Sequence, residues 1–277
     1  MKLFKIKPAD TDYSDSMLPT NRKEVFFDVL KLHWRSLFLL GLVIALFAVP
    51  FIFIQISGFF ATMNIQDEEG YETAVVLVSN ITSLIKVPVF ILLGIVLAGV
   101  IRIIRQFCWM ENVTLSYDFF LGIKQNIRQT IVLLVLVGVF WYLSVYCLNI
   151  SYISQNTMKY ALALPIGLFV LVIMPIAGYT MVAIATYNNK FSQNVKIAFL
   201  VYASNPFKAI LCTSLCSLIF VFKVISIISI QLICEVIGFV ILPISLLGFF
   251  LFANKQFDKQ INKHYYPELV GKGLRLE

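Results

Sequence analysis

The chain has 277 residues, 60% of them apolar and 13% charged, against roughly 25% charge in an average soluble domain. The apolar excess is spread over several long segments, which an ordinary soluble core of this size does not need. The net charge of +7 comes from basic residues flanking those segments, not from one basic run, and this argues against a nucleic-acid partner.

In chain order, residues 1–23 form a basic extension. Its apolar patches are too broken for the h-region of a signal peptide, so it is expected to stay attached and cytoplasmic. Within it, residues 8–20 read as a polar, turn-rich linker. Residues 24–254 read as the membrane domain. Crossing a hydrocarbon core about 30 Å thick takes about 20 helical residues, whose backbone groups must bond within the segment. Six stretches meet that need: 36–56, 87–104, 130–150, 161–186, 209–227 and 236–252. The expected fold class is therefore all-α and polytopic, with about six transmembrane helices.

Ahead of the first span, Glu24, Asp28, Lys31 and Arg35 make a polar stripe at helical spacing, with Val25, Phe26, Val29 and Leu30 turned the other way. That pattern suits an amphipathic helix lying in the interface. Residues 74–86, AVVLVSNITSLIK, are apolar but short and precede Pro88. They read either as an outer-surface helix or as an extension of a tilted second span. Residues 255–277 form a basic tail in which Lys255, Lys259 and Lys263 recur every four residues, a spacing suited to anionic lipid.

With both termini inside, all but Lys86, Lys159 and Lys223 of the 22 lysines and arginines fall on the cytoplasmic side, and Asp67, Glu68, Glu69 and Glu72 fall outside. The positive-inside rule favours this orientation. A weak internal repeat supports pairing of the spans. Phe27, Leu30, Lys31, His33, Trp34 and Arg35 align at a constant offset with Phe120, Ile123, Lys124, Asn126, Ile127 and Arg128. A fainter copy runs from Phe199 to Lys208. The simplest architecture is three helical hairpins, each led in by a cytoplasmic amphipathic helix. The alternative is that spans of this kind simply begin with similar basic and aromatic anchors.

The stretch AGVIRIIRQFCWMENVTLSYDFFLGIKQNIRQ, residues 98–129, contains Arg102, Arg105, Glu111, Asp118, Phe119, Lys124 and Asn126. In these positions it resembles YesL-like integral membrane proteins, a largely uncharacterised family of Gram-positive bacteria. It departs from their usual Arg-Glu-Glu, with Cys108, Trp109 and Met110 ahead of Glu111. The resemblance implies association with a carbohydrate ABC importer or a membrane sensor protein. It supplies no catalytic residue.

The loop from 102 to 128 is the best candidate surface. Arg102, Arg105, Glu111, Asp118, Lys124, Asn126 and Arg128 place opposite charges among aromatics on a segment expected to become helical after a Ser116 cap. It reads either as a docking helix for a partner's cytoplasmic domain or as an anchor whose arginines hold lipid phosphates. Lys223 and Glu235 form a possible charge pair across the outer turn between the last two spans.

Neither His33 nor His264 has a plausible catalytic partner, and the sequons at Asn80, Asn112 and Asn149 match a frequent chance pattern. The five cysteines, Cys108, Cys147, Cys212, Cys216 and Cys234, lack CxxC spacing, which argues against a zinc site or a disulfide framework. With no paired carboxylates, nucleophile and base, or phosphate-binding glycine loop, the chain is expected to be non-enzymatic and without a cofactor. An accessory or regulatory membrane protein is the first reading. A small-solute transporter or channel is the alternative.

Overall fold

The computed structural model describes residues 18–65, 70–154, 158–221 and 228–275, and every regular element among them is helical. The long first helix, α1 (Arg22–Asn64), starts where Asn21 accepts hydrogen bonds from the backbone N–H groups of Lys23 and Glu24 at 3.1 and 3.0 Å. It kinks at His33 (φ −120°, ψ 18°). Next come α2 (Tyr71–Lys86), α3 (Val89–Cys108), α4 (Leu115–Ile153) and α5 (Met158–Leu168). A single π turn, Phe169–Ile173, joins α5 to α6 (Met174–Thr186). Then follow α7 (Phe191–Ser204), α8 (Pro206–Val221) and α9 (Ile228–Phe257). A second π turn, Asp258–Asn262, leads to the short α10 (Lys263–Tyr265) and a 3₁₀ turn, Pro267–Leu269.

Five helical stretches are long and apolar enough to cross a membrane, and a sixth is counted when α7 and α8 are taken together. This is the architecture of a multi-pass membrane protein. Of the expected spans, those at 36–56, 87–104, 130–150, 161–186 and 236–252 fall within these five stretches. The one at 209–227 falls partly outside the described residues, since α8 ends at Val221. The stretch 74–86 proves to be α2, which runs into α3 after a brief break at Val87 and Pro88; the two count as one stretch of 38 residues.

The amphipathic lead-in segments are less separate than the sequence implied. The one before the third span is continuous with it, because nothing between Leu115 and Ile153 breaks the helix. The one before the first span is set off by the kink at His33 alone. The one before the fifth span, expected at 199–208, is not a single helix: it straddles the end of α7 and the start of α8, which are bent 107° from each other at Asn205 and Pro206, where proline ends the preceding turn.

The centre of the bundle is α3, with 14 of its 20 residues buried. It packs most extensively against α4 and also touches α1, α6 and α9, while α1 and α9 pack along each other. Two close approaches depend on glycine. A Cβ at Gly41 would stand 2.0 Å from the carbonyl oxygen of Val240 on α9, and one at Gly122 would stand 2.8 Å from the Cβ of Arg102 on α3. Such contacts let helices gain packing where no hydrophobic force separates lipid from protein. Large apolar side chains point outward in return, among them Leu46 and Phe53 at 67% exposure. A soluble surface would not carry so many. The start of α1, the end of α3, the start of α4, the end of α6 and the end of α9 meet at one end, the basic face.

Candidate functional site

The turn between α3 and α4 is built around Asp118. Its Oδ2 accepts a hydrogen bond from the Thr114 N–H at 2.8 Å, and its Oδ1 accepts one from Gln106 Nε2 at 3.1 Å. Arg102 Nη2 lies 3.5 Å from the same Oδ1. The carboxylate thus reaches back to the N-cap and satisfies a helix-end donor. The expected cap at Ser116 is replaced by a start at Thr114, one turn before Asp118, and Ser116 is exposed.

Beside it, Arg105 ties three elements together. Its Nη1 donates to the Ala185 carbonyl at 3.0 Å, near the end of α6, and its Nη2 lies 3.8 Å from Glu111 Oε2. The other Glu111 oxygen meets Lys272 Nζ at 3.0 Å. Both cations lie over the Trp109 ring, with Arg105 Cζ 4.7 Å and Lys272 Nζ 4.0 Å from its centre. Burial pulls the Arg105 pKa below the ordinary guanidinium value, and Glu111 opposes that shift.

The C-terminal segment completes the face. Asp258 pairs with Arg22 and accepts hydrogen bonds from Asn262 Nδ2 at 2.8 Å and from the Gly271 N–H at 3.3 Å. Tyr187, just past α6, donates its hydroxyl proton to Asn262 Oδ1 at 2.6 Å. Burial, with Asp258 nearby, raises the pKa of that phenol. The chain then crosses the end of α3. Gly273 (φ +83°) passes so close that a Cβ there would stand 2.6 Å from the Cys108 carbonyl oxygen, and the Arg275 N–H bonds to the Pro19 carbonyl at 2.9 Å. Residues 258–275 are therefore a clasp over the ends of α1, α3 and α6. The run of Pro267, Gly271 and Gly273 signals turns in this segment, which sequence reasoning passed over, but not the helices they cross.

Of the seven candidate residues, Arg102, Arg105, Glu111 and Asp118 come together as this network. Asp118 is only 6% exposed and has both oxygens engaged, so it offers no surface to a partner, contrary to the docking expectation for it. Asn126 is turned inward and donates to the Ala98 carbonyl at 3.4 Å. Lys124 and Arg128 remain exposed, on the same helix face as exposed Tyr117 and Phe120. Of the outer pair, Glu235 is buried, and Lys223 lies outside the described residues. His33 stacks on Phe107 with ring centres 4.7 Å apart, and burial lowers its pKa.

The residues aligned by the internal repeat are alike in part: Trp34 is exposed where Ile127 is half-buried, and His33 lies at a kink where Asn126 lies in an unbroken helix. Phe27 and Phe120 are 66% and 69% exposed, and Lys31, Arg35, Lys124 and Arg128 are all exposed.

At the far end the polar groups are of a different kind. Lys86 is 5% exposed, hydrogen-bonded to Gln55, with its Nζ 4.7 Å from the centre of the Phe51 ring. Asn149 Nδ2 donates to Ser79 Oγ at 2.9 Å and to Asn80 Oδ1 at 2.8 Å, joining α4 to α2. Two of the sequon asparagines are thus used in helix packing. Sequence reasoning passed over Lys86 because it counted the residue only as a boundary charge. Among the described residues, no group of three or more His, Cys, Asp or Glu side chains is placed to hold a metal.

Compared with known protein families, curated proteins and solved structures, the chain matches none.

Proposed function

We propose that this chain is a non-enzymatic accessory or regulatory protein of a bacterial cytoplasmic membrane. Its basic face lies in the cytoplasm with both termini, and its spans form three hairpins. The observation that carries this reading is the division of labour on α4. Asp118 and Asn126 face inward, the first bracing the turn and the second tying α4 to α3, whereas Tyr117, Phe120, Lys124 and Arg128 form one exposed stripe of aromatic and cationic side chains. A braced helix with such a stripe is suited to dock an acidic cytoplasmic domain, since aromatics and arginine carry much of the energy at protein interfaces. The resemblance to YesL-like proteins points to a carbohydrate ABC importer subunit or a membrane sensor as the partner.

The test is affinity purification from native membranes in a mild detergent. An importer or sensor subunit is expected to co-purify in stoichiometric amount with the wild-type chain and to be lost from Lys124→Glu/Arg128→Glu, which leaves the Asp118 network intact. Undiminished association of that variant rejects docking through this stripe. The burial of Lys86 favours a second reading, a small-solute transporter, because an ionisable group buried between membrane helices is a usual pointer to a solute or ion pathway. Solute uptake by the purified chain alone in liposomes would put that reading first.

A further inference from the structure

A groove of about 1210 Å³ opens at the basic face between the start of α1 and the end of α9. Its two ends differ in chemistry. One is apolar, lined by Phe26 and Phe27 from α1 and by Gly248, Leu251 and Phe252, from the last turn and a half of the 236–252 span in α9. The other is cationic, lined by Lys23, Lys255, Lys259 and Lys263, all with exposed side chains. Among the described lining residues the one carboxylate is Asp258, and it is engaged by Arg22, Asn262 and Gly271.

The lysine row is a product of the backbone. On a straight α-helix, residues four apart drift steadily round the axis, because a turn holds 3.6 residues. The wider π turn at Asp258–Asn262 offsets that drift, so that Lys255, Lys259 and Lys263 face the same groove. Lys23 closes the row from the opposite wall.

We infer that this groove is a binding site for an anionic phospholipid of the surrounding leaflet. The headgroup phosphate sits among the four lysines, and the acyl chains run along Phe27, Leu251 and Phe252. Charge complementarity selects the anion, as basic clusters beside a span attract acidic headgroups. Continuity of the apolar end with the membrane-crossing part of α9 selects a lipid over a free phosphate, which gains nothing from that wall. The inference does not depend on which protein docks on α4, since the lysines here belong to α1, α9 and the turn after it.

The test uses the full-length chain purified in a neutral detergent and titrated separately with short-chain phosphatidylglycerol, short-chain phosphatidylcholine and inorganic phosphate, with thermal stabilisation as the binding readout. Phosphatidylglycerol is expected to stabilise the wild type. Lys255→Gln/Lys259→Gln is expected to bind it about tenfold more weakly or worse, with Lys23→Gln, on the other wall, changing in the same direction. These side chains are exposed, so both variants should match the wild-type Tm without lipid. Lys124→Gln/Arg128→Gln, basic residues outside the groove, should bind phosphatidylglycerol like the wild type. The site is refuted if phosphatidylcholine or inorganic phosphate binds as tightly as phosphatidylglycerol. It is equally refuted if the α4 variant weakens as much as the groove variant.

Discussion

The two ends of the bundle are closed by different chemistry. At the basic face, charged groups far apart in sequence are drawn into one partly buried network: Arg22 with Asp258, Arg105 with Glu111 and the Ala185 carbonyl, and Lys272 with Glu111. At the far end, α1, α2 and α4 are joined by Lys86 with Gln55 and by Asn149 with Ser79 and Asn80, among otherwise apolar side chains. The first arrangement gathers segments that have no local reason to meet, and it fixes the frame from which the α4 stripe and the lysine groove project. The second sets a buried lysine, Lys86, and a few neutral polar contacts between helices that pack largely through apolar surfaces. Interhelical hydrogen bonds within a membrane contribute little individually, whereas removing one partner from a buried ion pair leaves the other uncompensated.

That contrast is broken most directly at Asp118. Asp118→Ala removes the acceptor of the Thr114 N–H and of Gln106 and leaves Arg102, whose side chain is 14% exposed, without its carboxylate. The expected loss is about 3–5 kcal/mol, read as a fall in Tm of the purified chain in detergent, with faster proteolysis of the turn between α3 and α4. A loss under about 1 kcal/mol would mean that the network is solvated and does not hold the face together.

This is also where sequence reasoning ran out. The apolar spans were legible because burying twenty helical residues in hydrocarbon leaves a continuous signal: α1, α4 and α9 each contain the stretch expected of them, and α2 and α3 together contain the one at 87–104. The grouping of Arg102, Arg105, Glu111 and Asp118 was legible as a charged loop among aromatics. Which of them face inward was not. Asp118 and Lys124 look alike as charges on one helix, and only the approach of α3 at Gln106 and Arg102 buries the first and leaves the second exposed. The clasp was missed for the same reason, since Asp258 meets Arg22 across 236 residues and no local period reports such a contact. Lys86 was counted for the side it lay on, and its burial depends on α1 bringing Gln55 and Phe51 to it.

The far end offers the complementary test. Asn149→Leu removes both hydrogen bonds to α2 but keeps apolar volume where α4 meets it. The expected cost is about 1.2 kcal/mol, at about 0.6 kcal/mol for each bond, roughly a third of that of Asp118→Ala in the same Tm assay. Equal losses from the two substitutions would erase the distinction between a face held by charge and an end held by packing.

The smallest effect sharpens the comparison through pH. His33 sits at the kink of α1, stacked on Phe107 near the network, and burial holds its pKa below the ordinary value near 6.5. As the pH falls through that ordinary value the unfolded chain takes up a proton before the folded one does, so stability declines until the folded pKa is passed. A modest fall in Tm is expected between about pH 8 and about pH 5.5, and His33→Gln should remove the part of it that belongs to this residue. Because a cation gained at position 33 would stand over the Phe107 ring and beside a face already rich in positive charge, the two neighbours act in opposite senses. A Tm that rises on acidification in the wild type and not in the variant would mean that the ring wins, and the kink would then be stabilised by protonation instead of weakened by it.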